Sequence, residues 1–338
     1  VQEISSDLTQ QELFPQYSPE DLPITPLLDA EGKPVLVQVP LDDQMITARV
    51  FQADVGRVKL YLLDPDTPET PPEYRLICDY LYNPGMDIRV AQEILLGVGG
   101  IRLLKELNIE PGLVHLNEGH PAFAAFERIK DLMQKGLSFE ESLEVVKEST
   151  VFTTHTPVPA GHDKFPVDFI YGRFRSFFEG LPADKFLSLG KETEDSGELN
   201  MTVLAIRTSA YVNGVSQLHA RVSREMFRNL WKGYTLEEVP IEGITNGVHT
   251  LTWICSEVSR IYDRALSRVW REHTDLEGMW YGVERISDAD LWEAHLKAKK
   301  NFISLMKDKI HSRNKRLNLS DPLPEIDENS LIIGFGRR

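Results

Sequence analysis

Three times along this chain a short apolar run breaks off into a cluster of amide, carboxylate, hydroxyl and imidazole side chains. The clusters are His115-Leu116-Asn117-Glu118-Gly119-His120-Pro121, Thr154-His155-Thr156-Pro157-Val158-Pro159-Ala160-Gly161-His162, and Thr245-Asn246-Gly247-Val248-His249-Thr250. Strands that stop this way, with helical periods between them, point to a parallel α/β sheet. All strands of such a sheet end on one side, and ligands gather at those carboxyl ends.

The rest of the chain is organised around this rhythm. Val35–Val39, Ile46–Phe51 and Val58–Leu62 are β-branched, partly alternating runs separated by Asp and Gly, which predicts a small antiparallel meander near residues 34–63. Seven acids and no Lys or Arg precede Lys33, so the opening stretch reads as an acidic surface loop. From Asp87 onward Ile94, Leu95, Val98, Ile101, Leu104 and Leu107 recur at helical spacing, interrupted by Gly97, Gly99 and Gly100. Each glycine costs a helix about 1 kcal/mol relative to Ala. Their crowding suggests that another backbone packs very close; a phosphate-cradling loop is disfavoured because no strand precedes it.

Leu113–Leu116 reads as a strand and is followed by a helix with Pro121 in its first turn and Gly136 past its end. Ser138 and Glu141 form a capping box for the next helix, which leads into the strand Thr150–Thr154. Ser287-Asp288-Ala289-Asp290 caps a long helix whose segment from Lys297 to Arg316 carries eight basic residues and one acid. That segment reads as a solvated helix face beside a hinge rather than as a polyanion site.

Composition removes several classes. With 37 basic and 52 acidic residues the formal charge is −15, which lacks the positive field a phosphate backbone requires, so no nucleic-acid partner is expected. No run approaches the roughly 20 apolar residues of a bilayer span, so no membrane partner is expected either. Cys78 and Cys255 are too few for a disulfide framework or a thiolate metal cluster, which suggests a reducing, cytoplasmic compartment. The chain starts at Val1 and closes on the apolar run Leu331–Phe335, which reads as a strand cut off as it forms; a piece of a longer protein is expected.

At the three clusters the polar groups can pair with sugar hydroxyls, or each can simply satisfy a turn. Zinc is a weaker reading for Glu118, His120, His155 and His162, since their spacing matches no helical ligand pair and no thiolate assists. There is no Gly-x-Ser-x-Gly elbow, and no acid stands out as a glycosidase partner for Glu118.

Taken together and in order, the segments Gln92–Gly100, His115–Phe123, Val151–Pro166, Asn200–Thr202, Asn213–His219, Ile244–Trp253 and Ile333–Arg338 resemble the α-glucan phosphorylases, nearest the shorter bacterial and archaeal type. The resemblance implies a Rossmann-like first domain of a two-domain B-type glycosyltransferase fold, incomplete at both ends. Residues 1–330 would form that glucan-binding domain and 331–338 the first strand of the second, cofactor-binding domain. It further implies phosphorolysis of α-1,4-glucan or maltodextrin by inorganic phosphate, releasing glucose 1-phosphate, with pyridoxal phosphate on a Lys outside this chain. The isolated piece is expected to be inactive.

By the same resemblance, His155 and Asn246 hold hydroxyls of the transferred glucosyl unit, and Thr156 and Val215 line its pocket. Asn117, Glu118 and His120 shape the cleft, although better-known members carry Asp and Thr where Glu118 and Gly119 stand. Trp253 lies beside the cofactor, with Leu251-Thr252 in place of the Arg pair of the long-chain members. Arg337 and Arg338 open the phosphate site, Arg337 toward the cofactor, and the resemblance makes His155 and Arg338 the catalytic residues. A homo-oligomer is compatible with the resemblance, and the alternative is a non-catalytic glucan-binding or regulatory module of the same fold.

Overall fold

A computed structural model of the chain describes residues 2–4, 10–81, 83–320, 322 and 325–334. Its contacts divide into two compact units, one built mainly on Glu12–Asn246 and the other on Gly247–Arg338. No helix among the described residues is long and apolar enough to cross a membrane.

The first unit carries the expected meander. Strands Leu36–Leu41, Gln44–Val55 and Val58–Asp64 pair antiparallel, with Val39 opposite Ile46 and Phe51 opposite Leu62. Asp42 and Asp43 both take positive φ at the first hairpin, as a two-residue turn that follows strand twist requires. Val37, Val39, Leu41, Ile46, Ala48 and Val50 alternate along their strands and are all buried, so one face of the meander enters the core. The opening stretch is not wholly loop: Thr25–Pro26 adds a short strand against Phe51–Gln52. Backbone pairing there prevails over a sequence that is acidic and weakly patterned.

Against the meander packs one helical run, Met86–Ile94 and Gly100–Glu106, joined through a π turn at Leu95–Gly99. The glycine crowding has the expected cause at Gly97, where a Cβ would stand 2.7 Å from the Ala124 backbone nitrogen. At Gly100 the space is open, so close approach does not explain that residue.

The centre of the unit is a four-stranded, all-parallel sheet in the order Glu242–Gly243, Tyr211–Gly214, Thr150–Thr154, Val114–Asn117. Helices Ala124–Gln134 and Phe139–Glu148 link its first two strands in sequence. The first begins after Pro121 rather than at it, because residues 120–123 form a tight turn in which the Ala124 amide donates to the Pro121 carbonyl at 2.8 Å. The capping box on the second is complete: the Glu141 amide donates to Ser138 Oγ at 3.2 Å, and the Ser138 amide to Glu141 Oε2 at 2.9 Å. Phe123, Phe126, Phe174, Phe177, Phe178 and Phe186 form a continuous aromatic cluster, with Phe126 and Phe186 edge to face at 5.3 Å.

The second unit is helical, with Thr250–Trp253, Ser256–Ala265, Glu277–Trp280 and Asp288–Leu317 as its α-helices. Its anchor is the fully buried Trp270, edge on to Tyr262 at 5.5 Å and donating Nε1–H to Asp263 at 3.0 Å. Ser287 caps the long helix through the Asp290 amide, and of its thirty residues Ala294, Ile303 and Asn314 are the buried ones. The basic stretch is thus largely solvated. Residues 331–334 carry no regular structure, and 335–338 of the expected terminal strand lie outside the described residues.

Candidate functional site

Because all four strands run parallel, the polar residues that end them converge on one edge of the sheet. Asn117 closes the first strand, and its side-chain Oδ1 lies 2.7 Å from His155 Nε2, just past the end of the second. Glu118 follows in the left-handed region at φ 68°, its amide still donating to the Thr153 carbonyl at 2.8 Å. This backbone turn carries its carboxylate across to the neighbouring strand. Oε1 accepts from the amides of His155 and Thr156, the latter at 3.2 Å, and Oε2 accepts from the Thr156 hydroxyl at 3.2 Å. Both carboxylate oxygens are therefore engaged with the chain itself.

A second polar layer runs across three strands beside this edge. Thr153 Oγ1 donates to Asn213 Oδ1 at 2.7 Å and lies 2.7 Å from His115 Nε2. A hydroxyl has one hydrogen, so His115 Nε2 is the donor in that contact. At the third strand end the Val215 amide donates to His219 Nδ1 at 3.3 Å, and the Asn246 amide donates to the Val215 carbonyl at 3.1 Å. The expected site residues Asn117, Glu118, His155 and Thr156 are thus joined directly, and Val215 and Asn246 are joined at a neighbouring strand end.

His120 takes a different place. It belongs to a quartet with Arg89, Glu93 and Asp163: Arg89 Nη2 lies 2.7 Å from Asp163 Oδ2 and 2.6 Å from His120 Nδ1, and Arg89 Nε lies 3.2 Å from Glu93 Oε1. Glu93 is 1% exposed, and burial above all pushes its carboxyl up to about 8. Burial works against ionising Asp163 as well, but hydrogen bonds from His120 and Arg89 outweigh it and hold that carboxyl well below its usual range. For His120 burial opposes the charge and the two carboxylates favour it, with a net rise to about 9.

Both rises favour the protonated form, so near neutral pH Glu93 is uncharged and His120 is a cation. His120 Nδ1 lies 3.3 Å from Asp163 Oδ2 and 3.6 Å from Glu93 Oε1, so its N–H serves the carboxyl side of the quartet. Asp163 is then shared by Arg89 and His120, with Glu93 holding its own proton.

Donor atoms of Glu93, His120 and Asp163 lie within 4.8 Å of one another, a spacing a metal could use. Arg89 already supplies the positive charge there, so the charge balance needs no cation. Glu118, His155 and His162 do not join His120 in a ligand group among the described residues. His162 is buried instead, with Nδ1 2.8 Å from Thr202 Oγ1 and its ring edge on to Phe227, and burial lowers its pKa.

Sequence reasoning singled out neither Arg89 nor Glu93 nor Asp163. The available signal was the i, i+4 spacing of Arg89 and Glu93 on an otherwise apolar helix face. In the second unit Trp253 stands on the short Thr250–Trp253 helix with 78% of its surface exposed. Arg337 and Arg338 lie outside the described residues. A depression of about 590 Å³, lined by Leu104, Lys105, Arg128 and Lys135 among others, lies near the amino ends of the strands, where Arg128 reaches Thr150. It is remote from the polar edge.

Fold and site together define a mixed α/β protein with a polar edge at the carboxyl ends of a parallel sheet. No protein-family model matches the chain. Over its whole length it is 59% identical across 337 residues to the maltodextrin phosphorylase of Thermococcus litoralis, of which it covers 40%. It is 38% identical across 359 residues to the glycogen phosphorylase of Mycobacterium tuberculosis and 36% across 345 residues to that of Aquifex aeolicus, covering 41% and 49% of them. The chain belongs to the glycogen and maltodextrin phosphorylase family and spans less than half the length of these relatives.

Proposed function

We propose that this chain forms the sugar-side wall of an α-glucan phosphorylase, as the Rossmann-like first domain of a two-domain B-type glycosyltransferase. The full-length protein transfers the non-reducing terminal glucosyl unit of an α-1,4-glucan or maltodextrin to inorganic phosphate, giving glucose 1-phosphate, in the cytoplasm. The observation that carries this reading is the strand-end edge joining Asn117, Glu118, His155 and Thr156, in a chain 59% identical to a maltodextrin phosphorylase.

In this reading His155 and Asn246 hold hydroxyls of the glucosyl unit, and Thr156 and Val215 line its pocket. Hydrogen bonds there help most if they tighten as the sugar becomes oxocarbenium-like. Glu118, with both oxygens bound to the chain, is poorly placed to give a proton to a leaving group, which favours a phosphate-driven reaction over a hydrolase with two carboxylates. Arg337 and Arg338 would contribute permanent charge and paired donors to a phosphate.

The family implies pyridoxal phosphate, whose phosphate exchanges a proton with inorganic phosphate when bound. Of this chain's described residues, the exposed indole of Trp253 offers a flat face suited to a planar ring, and the attachment Lys would come from elsewhere in the protein. A homo-oligomer is compatible with the reading.

The test is to incubate full-length protein with maltodextrin and phosphate, measuring glucose 1-phosphate and the absorbance of bound cofactor; absence of both ends the proposal. Asn246→Ala is expected to cost about 1–3 kcal/mol of transition-state stabilisation, read as lost kcat/KM. An unchanged specificity constant removes Asn246 from the site.

A further inference from the structure

His155 reaches the polar edge with one ring nitrogen already engaged. Its Nε2 lies 2.7 Å from Asn117 Oδ1, and an amide oxygen only accepts, so Nε2 carries the hydrogen. In a neutral imidazole this leaves Nδ1 with a lone pair and no hydrogen. The main chain of the same residue is fixed separately, because Glu118 Oε1 accepts from the His155 amide and from the Thr156 amide. Two consecutive residues therefore divide the task. The positive φ of Glu118 turns its carboxylate to the backbone of His155, while Asn117, still in the strand, faces the ring. Beneath them the Thr153 contacts to His115 and Asn213 tie the first three strand ends in register.

Resting on the phosphorylase reading, we propose that Asn117 is a positioning residue that selects the Nε2–H tautomer of His155, so that Nδ1 meets the glucosyl unit as an acceptor. Such a nitrogen pairs with a sugar hydroxyl that donates. It discriminates against a sugar in which that hydroxyl is missing or replaced by fluorine, because the lone pair, covered by the bound sugar, is then left without a partner. Asn117 acts through His155 and needs no contact with the sugar.

The experiment uses the full-length protein in the direction of glucan synthesis, with maltodextrin as acceptor and a series of single-position deoxy and deoxyfluoro glucose 1-phosphates as donors. At one ring position fluorine should lower kcat/KM markedly more in the parent protein than in Asn117→Asp. Below neutral pH a carboxylate beside Nε2 favours the imidazolium, which has hydrogens on both nitrogens, so Nδ1 then donates and the fluorine penalty at that position shrinks by about tenfold. The electronic effect of fluorine on the reaction is common to both proteins and cancels in the comparison. Asn117→Ser, whose hydroxyl accepts or donates by rotation, should shrink the penalty in the same direction and serves if the Asp variant does not fold.

In a His155→Ala background neither substitution should alter the analogue pattern. The same change appearing there would mean that Asn117 touches the sugar itself, and would overturn the proposal. So would an identical analogue pattern in the parent and the Asn117 variants. A parent protein that turns over no glucose 1-phosphate overturns the phosphorylase reading and this proposal with it, whereas turnover with an unchanged pattern overturns this proposal alone.

Discussion

The loops that follow the first two strands of the parallel sheet are tied together twice, and the two ties differ in kind. At the exposed edge, Glu118 and Asn117 reach the backbone and ring of His155 and the backbone and hydroxyl of Thr156. Behind it, His120 and Asp163 from the same two loops meet Arg89 and Glu93 from the Met86–Ile94 helix. The first tie uses partly solvated hydrogen bonds to fixed backbone donors. The second uses charges largely withdrawn from water, with Glu93 held in its protonated form beside them. Orientation is maintained by the first; rigidity depends on the second keeping its cations against Asp163.

Removing a charge should separate them most clearly. Arg89→Met leaves Asp163 ionised beside a buried carboxyl without its guanidinium partner, and should destabilise the protein by roughly 3–5 kcal/mol. The midpoint of denaturant unfolding at unchanged slope measures this. A loss below about 1 kcal/mol would mean that the quartet is not the rigid tie described here. At the edge, Glu118→Ala takes away the acceptor of two amides and a hydroxyl in a partly solvated setting, and about 1–3 kcal/mol is expected. Glu118→Gln, which keeps one acceptor oxygen, should fall between alanine and the parent. If alanine and glutamine are equal, the carboxylate does not organise the second loop.

How far each tie was legible in the sequence follows from the range of its contacts. The parallel sheet and its polar strand ends could be read because each strand and its following cluster are contiguous, as in His115–Pro121 and Thr154–His162. The capping box at Ser138 and the close backbone approach at Gly97 were legible for the same reason, since local spacing carries the signal. The quartet was not. Arg89 and Asp163 are 74 positions apart, and no periodicity reports which helix face will meet which loop. His120 was accordingly grouped with its sequence neighbours Asn117 and Glu118, while its strong contacts run to other elements. The joint after Asn246 coincides with a change of charge, 22 basic against 38 acidic residues before it and 15 against 14 after it, a shift too gradual along the chain to mark one position.

The most selective comparison is made by pH. Glu93 is raised from 4.5 to about 8, so its folded form binds a proton more tightly than the unfolded chain does. The sign follows from linkage: its contribution to stability is fully present below pH 4.5 and is lost as pH rises through about 8. Asp163, held below its ordinary 3.8, acts in the opposite sense, contributing above that pH and losing its contribution only in strong acid. Between these limits the parent should weaken gradually from about pH 5 toward pH 8, and His120, raised from 6.5 to about 9, adds a loss of the same sign above pH 6.5. Glu93→Gln has no proton to lose, so its stability should be flatter over the same range, whereas Glu118→Gln should keep the parent's slope. Unfolding midpoints across that range, parent against the two variants, provide the comparison. Equal slopes in the parent and Glu93→Gln would show that Glu93 does not hold its proton through this range, and the contrast between a tie of backbone hydrogen bonds and a proton-dependent one would fail.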